Sequence, residues 1–376
     1  MSVLGPSNLE FLPILRPTLP SSSELNPFLL RIDKTSQYSN FGPLLEEFEE
    51  RLSGYYENRF NERAGCVVVS SGTSGLILAI QELDLPQPSR ILIPAFTFVA
   101  TALAVQAAGH IPVVCDVDRH NWCLTPSSVK AVLRNTINSP YPKAVIPVCT
   151  FGASQEVSDW SEFADHTGLK VVLDAAGAFG GQKVCENVTA VFSLHATKPL
   201  SCGEGGAVFA KCNERLSRIR KLSNFGFGLE TASGGLNTKI SEYTAAVGLA
   251  HLLSFKDSAV TRRHLYDELC SRINELPNKS LTYQKISTPY APAIFCIGAQ
   301  DERHRNKIEI ACSKMRIQTR RWYLPLLQNQ SMLKNLERPL ETKNANALEA
   351  TLLGIPFFVG MKTNDIDRIF SCIGNV

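Results

Sequence analysis

The segment Ser193-Leu194-His195-Ala196-Thr197-Lys198-Pro199-Leu200, continued by Gly203-Glu204-Gly205-Gly206, decides how the rest of the chain is read. Before it, Val191-Phe192-Ser193 reads as the end of a short apolar strand. After it, Ala207-Val208-Phe209-Ala210 reads as another. Glycines let the backbone turn tightly and approach a ligand closely. A lysine held there between two strands can be desolvated, which lowers its pKa and makes it a nucleophile toward carbonyl groups. The plainer reading of Lys198 is a loop lysine that keeps its ammonium in water.

A second stretch lies just upstream, Lys170-Val171-Val172-Leu173-Asp174-Ala175-Ala176-Gly177-Ala178. It reads as a buried parallel strand ending on a carboxylate. The carboxyl ends of strands are where α/β sheets bind ligands. Asp174 and Lys198 on neighbouring strand ends could grip a pyridine ring, the lysine as a Schiff base and the aspartate against the ring nitrogen. That points to pyridoxal 5'-phosphate (PLP) chemistry. The alternative for Asp174 is a strand-end residue that caps the next turn.

Further out, Cys66-Val67-Val68-Val69 reads as a strand. It runs through Ser70-Ser71-Gly72-Thr73-Ser74-Gly75 into the helical pattern Leu76-Ile77-Leu78-Ala79-Ile80. Such a turn offers backbone N–H groups and hydroxyls to an anion at a helix N-terminus. A plain N-cap needs the same residue types. Ile91 to Pro94, Pro112 to Cys115 and Ala144 to Val148 read as further strands, and Phe98 follows the second as an aromatic that could lie on a cofactor ring. Strands alternating with helical segments through residue 175 imply a largely parallel sheet with helices on both faces. Residues 280–376 alternate short strands and helices and read as a smaller α/β domain. Residues 1–40, rich in Pro and Ser, read as an extended arm. Asn40-Phe41-Gly42-Pro43 starts a helix, with proline suited to its first turn.

At 376 residues, the chain is long enough for two or three domains. Its 19% charged residues and net charge of +3 leave no basic excess for nucleic acid or an anionic membrane. The start has no basic stretch leading into an apolar run, and no apolar run approaches a membrane span. The eleven cysteines lack zinc-ligand spacing, so no metal is expected, and their odd number suits reduced thiols in a cytoplasmic protein.

Together, Ser71-Gly72-Thr73-Ser74, Pro94 to Thr101, Asp174-Ala175-Ala176, Ser193 to Lys198, Glu204-Gly205-Gly206 and Leu236-Asn237 resemble the DegT/DnrJ/EryC1/StrS family of PLP-dependent nucleotide-sugar aminotransferases. The resemblance runs from Arg16-Pro17 to Arg321-Trp322-Tyr323. It implies a fold-type-I architecture. A large PLP-binding domain over 41–245 would carry a mostly parallel seven-stranded sheet flanked by helices. A smaller C-terminal domain would follow over 246–376. It also implies a homodimer with shared active sites. Lys198 would be the Schiff-base lysine and Asp174 the partner of the pyridine nitrogen. Gly72, Thr73 and Ser74 would hold the phosphate, with Ser193 close by. Phe98 would stack on the ring. Asn237, with Lys239 nearby, would reach the partner subunit's phosphate region, and Lys239 and Tyr323 would touch substrate. The implied reaction moves an amino group, from glutamate, onto C3 or C4 of a nucleotide-linked (dTDP-type) keto-deoxy sugar, as in deoxyamino-sugar and surface-polysaccharide synthesis.

Three departures from the family pattern stand out. Gly177 occupies the place of a usual His or Gln. Lys239 stands where Arg is usual, keeping the charge but not the bidentate fork. Leu326 and Leu327 follow Tyr323-Leu324-Pro325 where a His is common. Two other readings remain. PLP-dependent sugar dehydratases of the same fold carry His in place of the lysine, which Lys198 argues against. A PLP-binding regulator without turnover would need a DNA-binding attachment, and neither a helix-turn-helix nor a basic arm is seen.

Overall fold

The structure, a computed structural model, describes residues 10–135, 140–229, 234–277, 280–333 and 335–374. Two helices come first, α1 (Ser22–Thr35) and α2 (Pro43–Phe60). Then follow β1 (Gly65–Val69), α3 (Gly72–Glu82), β2 (Arg90–Pro94), α4 (Val99–Ala107), β3 (Ile111–Cys115), α5 (Pro126–Asn135), β4 (Ala144–Val145), α6 (Val157–Thr167) and β5 (Lys170–Asp174). Next come β6 (Val188–Ser193), β7 (Gly206–Ala210), α7 (Asn213–Leu222) and α8 (Glu242–Asn274). The chain ends with β8 (Thr282–Tyr283), β9 (Phe295–Gly298), α9 (Glu302–Lys314), α10 (Lys343–Thr351), β10 (Leu352–Ile355) and α11 (Thr363–Ile373).

The large sheet has the expected seven strands, in the order β1-β7-β6-β5-β4-β2-β3. Only β7 runs against the others. Helices cover both faces, so its strands are near-continuous apolar runs, as in Val67-Val68-Val69 and Val171-Val172-Leu173. One face packs Phe48, Leu52, Phe192, Phe209 and Phe255. The other packs Leu76, Ile80, Ile91, Val172 and Val208. The register pairs Asp174 with Val191 and Ser193 with Gly206. The carboxyl ends of β1, β5 and β6 therefore share one edge with the start of β7. The small sheet is antiparallel, β10-β9-β8, with its own core of Ile297, Ile308, Leu353 and Ile369.

Two sequence expectations change. Residues 22–35 of the expected extended arm form α1, because Ser21 and Glu24 close a capping box that outweighs Pro27 inside the helix. Residues 1–9 of that arm lie outside the described residues. The division expected at residue 246 falls inside α8, a continuous 33-residue helix. Its first half packs Ala245, Leu249 and Phe255 into the large core, and its second half packs Leu265, Leu269 and Ile273 into the small one. Among the described residues, no helix is long and apolar enough to cross a membrane.

Candidate active site

The β6–β7 connection holds Lys198 by backbone bonds. Leu194 N–H donates to Gly205 O at 2.8 Å, and Ala196 N–H to Gly203 O at 2.8 Å. Cys202 N–H returns to Leu194 O at 2.9 Å, and Lys198 N–H to His195 O at 2.8 Å. Gly203, at φ +89°, supplies the left-handed residue this turn needs. His195 Nδ1 accepts from Thr197 N–H at 3.2 Å, so its other nitrogen faces Glu204 Oε1, 3.6 Å away. Lys198 is half-buried. Burial pushes its ammonium below the usual lysine range, and the Asp174 charge opposes that shift.

Asp174 is buried at the end of β5. Burial pushes its carboxyl above the usual range, while Thr101, Ala176 and the charge of Lys198 pull it back. Thr101 Oγ1 donates to its Oδ2 at 2.7 Å, and Ala176 N–H to its Oδ1 at 3.2 Å. Thr101 in turn shares a hydrogen bond with Thr97 at 3.0 Å. A base lowered by burial beside an acid raised by burial is the pattern of acid–base assignments at active sites.

The Ser71-Gly72 turn packs against the lysine hairpin. A Cβ on Gly72 would lie 3.0 Å from Ser193 Cβ, and one on Gly206 would lie 2.4 Å from Ser71 O. The turn opens α3, whose first N–H groups have no partner within the helix. Ser71 and Ser74 close a capping box, so in this chain the Ser74 hydroxyl serves the helix end. Thr73 is half-buried beside it, and Ser193 is buried at the end of β6 with its Oγ accepting from His195 N–H at 3.3 Å.

Phe98, exposed at the N-cap of α4, sits with its ring 6.1 Å from that of Tyr323. Both line a cavity of about 340 Å³ together with Arg320, Arg321 and Trp322. Tyr323 also packs against Phe151, and burial pushes its phenol up. Leu326 and Leu327 are buried in the core, so they leave the cavity wall to other residues. The Gly177 position is filled from outside. A Cβ there would lie 3.1 Å from Ala293 Cβ, and one on Gly152 would lie 2.6 Å from Gly177 O.

Asn237 is exposed. Its Oδ1 and that of Asn224 each accept from Lys239 Nζ at 2.7 Å. The segment also touches the Ser70–Ser74 turn of its own chain, where Ser70 N–H donates to Thr238 O at 2.7 Å. Lys198, Asp174, Ser193, Gly72 and Thr73 are thus gathered on one sheet edge. Asn237 is exposed and Lys239 half-buried beside it. Thr101 escaped the sequence reading as a functional residue. Its only signal is a hydroxyl four residues after Thr97, which would align the two on one helix face.

The residues present fit PLP: a buried carboxylate for the ring nitrogen, an amine of lowered pKa for the aldehyde, and a helix N-terminus for the phosphate. The chain is 27% identical to a dTDP-4-amino-4,6-dideoxy-D-glucose transaminase of Shigella dysenteriae, over 96% of this chain and 98% of that protein. A crystal structure of a Bacillus cereus protein assigned as a PLP-dependent aminotransferase superposes with a TM-score of 0.86. It is 29% identical and covers 97% of this chain and all of its own. DesI, crystallised in the presence of its TDP-sugar product, gives 0.85 at 26% identity, covering 98% of this chain and 93% of its own. The sequence model of the DegT/DnrJ/EryC1/StrS aminotransferase family matches residues 22–374. The protein therefore belongs to that family and is a PLP-dependent aminotransferase.

Proposed function

We propose that this enzyme moves an amino group from glutamate to a keto carbon of a dTDP-linked deoxy sugar, working as a homodimer with shared sites. The observation that carries this is the Lys198–Asp174 pair, a half-buried amine and a buried carboxylate shifted in opposite directions at adjacent strand ends. The likeness to transaminases of dTDP-sugars supports the substrate class.

In this reading Lys198 would hold the cofactor through its aldehyde, and Lys198 Nζ would be the base that takes the proton from the donor's α carbon. PLP, when bound, supplies the electron sink for the carbon that loses that proton. Asp174 holds the pyridine nitrogen in its protonated form by a charge-assisted bond, and Thr101 keeps that carboxylate oriented. The α3 N-terminus with Gly72 and Thr73, and Ser193 beside it, holds the phosphate, and Ser74 contributes by closing the cap beneath them. Phe98 covers the ring. Tyr323 borders the sugar, and Asn237 and Lys239 serve the site of the second subunit. The lysine is both nucleophile and proton carrier, so one substitution stops both half-reactions.

The test combines trapping with a substrate screen. Borohydride reduction of the PLP-loaded protein and peptide mapping should put the pyridoxyl group on Lys198. Glutamate and dTDP-linked keto-deoxy sugars should then give a product whose mass reports replacement of the carbonyl oxygen by an amine. Lys198→Ala should lose turnover by at least about 1,000-fold. A label on another lysine, or no amination of any nucleotide-linked keto sugar, overturns the reading.

A further inference from the structure

A second cavity, of about 30 Å³, lies beside the lysine hairpin. That is room for roughly two waters, or one carboxylate-sized group. Its wall includes Arg16, Thr197, Lys198, His251, Arg262 and Phe358, and among the described residues no Asp or Glu lines it. Arg262, on α8, is half-buried. Its Nη1 reaches Ala293 O only at 3.5 Å, and its guanidinium lies 5.3 Å from the centre of the Phe357 ring. Arg16 is exposed, 5.0 Å over the Phe358 ring.

A guanidinium has five donors and no acceptor. One taken out of water without a counterion is costly to hold, and an anion offsets that cost. Burial pushes Arg262 down to about 10, with no carboxylate opposing it. Burial also pushes His251 down, and Lys198 in the same wall is lowered and faces the Asp174 charge, which leaves the two arginines as the cations of the wall not opposed by a carboxylate. Two guanidinium groups in one wall match a ligand with two carboxylates better than a ligand with one.

We propose that the Arg16–Arg262 cavity is the carboxylate subsite for the amino donor, and that it selects small dicarboxylic acids such as glutamate. The inference rests on the aminotransferase reading above for its place in the reaction, but the binding site stands on its own geometry. Arg262 would pair with one carboxylate and Arg16 would meet the other from the exposed side.

Glutarate, an unreactive dicarboxylate, is the probe for binding to the PLP-free protein, with sulfate as the comparison anion. Glutarate should raise the melting temperature of the wild type more than sulfate does. Arg262→Gln should weaken glutarate binding about 10- to 100-fold, Arg16→Gln less so, and Arg262→Lys should recover part of the loss. In the loaded enzyme, Arg262→Gln should raise KM for glutamate by a similar factor while KM for the keto sugar stays unchanged. Arg16→Gln, on the surface, keeps the test open if Arg262→Gln fails to fold. Equal glutarate and sulfate effects overturn the proposal. So do variants that bind glutarate like the wild type, or a KM change confined to the sugar. Arginine-dependent glutarate binding in a protein that aminates no sugar would uphold the subsite and refute the substrate reading.

Discussion

Thr101 donates to Asp174 at 2.7 Å and orients the group we place against the cofactor nitrogen. Asp174→Asn keeps the shape and removes the charge. It should lower turnover by about 100-fold or more while the loaded protein still folds and takes up PLP, as read by kinetics beside absorbance. Its effect on the PLP-free protein has a definite sign. The folded pKa of Asp174 is raised by burial, so its contribution to stability is fully present below the unfolded value of about 3.9 and is lost as pH rises through the folded value. PLP-free Asp174→Asn should therefore melt higher than PLP-free wild type at pH 7, with the gap closing as pH falls toward 4. A gap that widens on acidification refutes this account. Asp174 and Lys198 were legible in the sequence because each ends or follows a strand of recognisable apolar character. Thr101 and Arg262 were not, since each matters through a partner 73 or 31 residues away along the chain.

The turn that opens α3 and the start of β7 fit together only because Gly206 has no side chain. A Cβ there would meet Ser71 O at 2.4 Å, and backbone cannot yield as a side chain can. Gly206→Ala should cost about 1–3 kcal/mol and weaken PLP binding. Gly54→Ala, inside α2 with nothing within 4 Å, should instead be neutral or stabilising by up to about 1 kcal/mol. Denaturant melts and PLP titrations of both variants check the contrast. The strands of the large sheet were readable as apolar runs between turn residues. Helix α1 was hidden by its Pro27 and serines, although Ser21 and Glu24 are a capping-box signature. The start of α2 was legible from Gly42-Pro43, but the carboxylate that satisfies its first N–H groups was not. Its Leu44 and Leu45 N–H groups donate to Glu242 of α8, at 2.7 and 3.0 Å, almost 200 residues on.

At the scale of the whole molecule, the exposed Asn237 and the exposed rings of Phe225 and Phe227 suit a shared site in a dimer. Inactive Lys198→Ala mixed with inactive Asn237→Ala, under conditions that exchange subunits, should regain up to about a quarter of wild-type activity. Residues acting across subunits leave one intact site in each mixed dimer, and statistical mixing makes half the dimers mixed. No recovery despite proven exchange refutes the arrangement. The largely parallel sheet with helices on both faces was legible because strand and helix patterns alternate, whereas its seven strands were implied only by the family resemblance. The place where one lobe gives way to the other was not, since α8 has no composition break at residue 246.

The N-terminal segment also has a consequence for the order of events at the ribosome. Leu12 pairs with Ile317, Ile14 N–H donates to Gln318 at 3.0 Å, and Ile14 O accepts from Phe357 N–H. Ile14 is thus held by a residue made 304 positions later. At about 5–20 residues per second, Leu12 and Ile14 emerge roughly 15–60 s before the partners that bury them. The large sheet can assemble during that interval, whereas the small lobe cannot close until residues 317–357 have emerged.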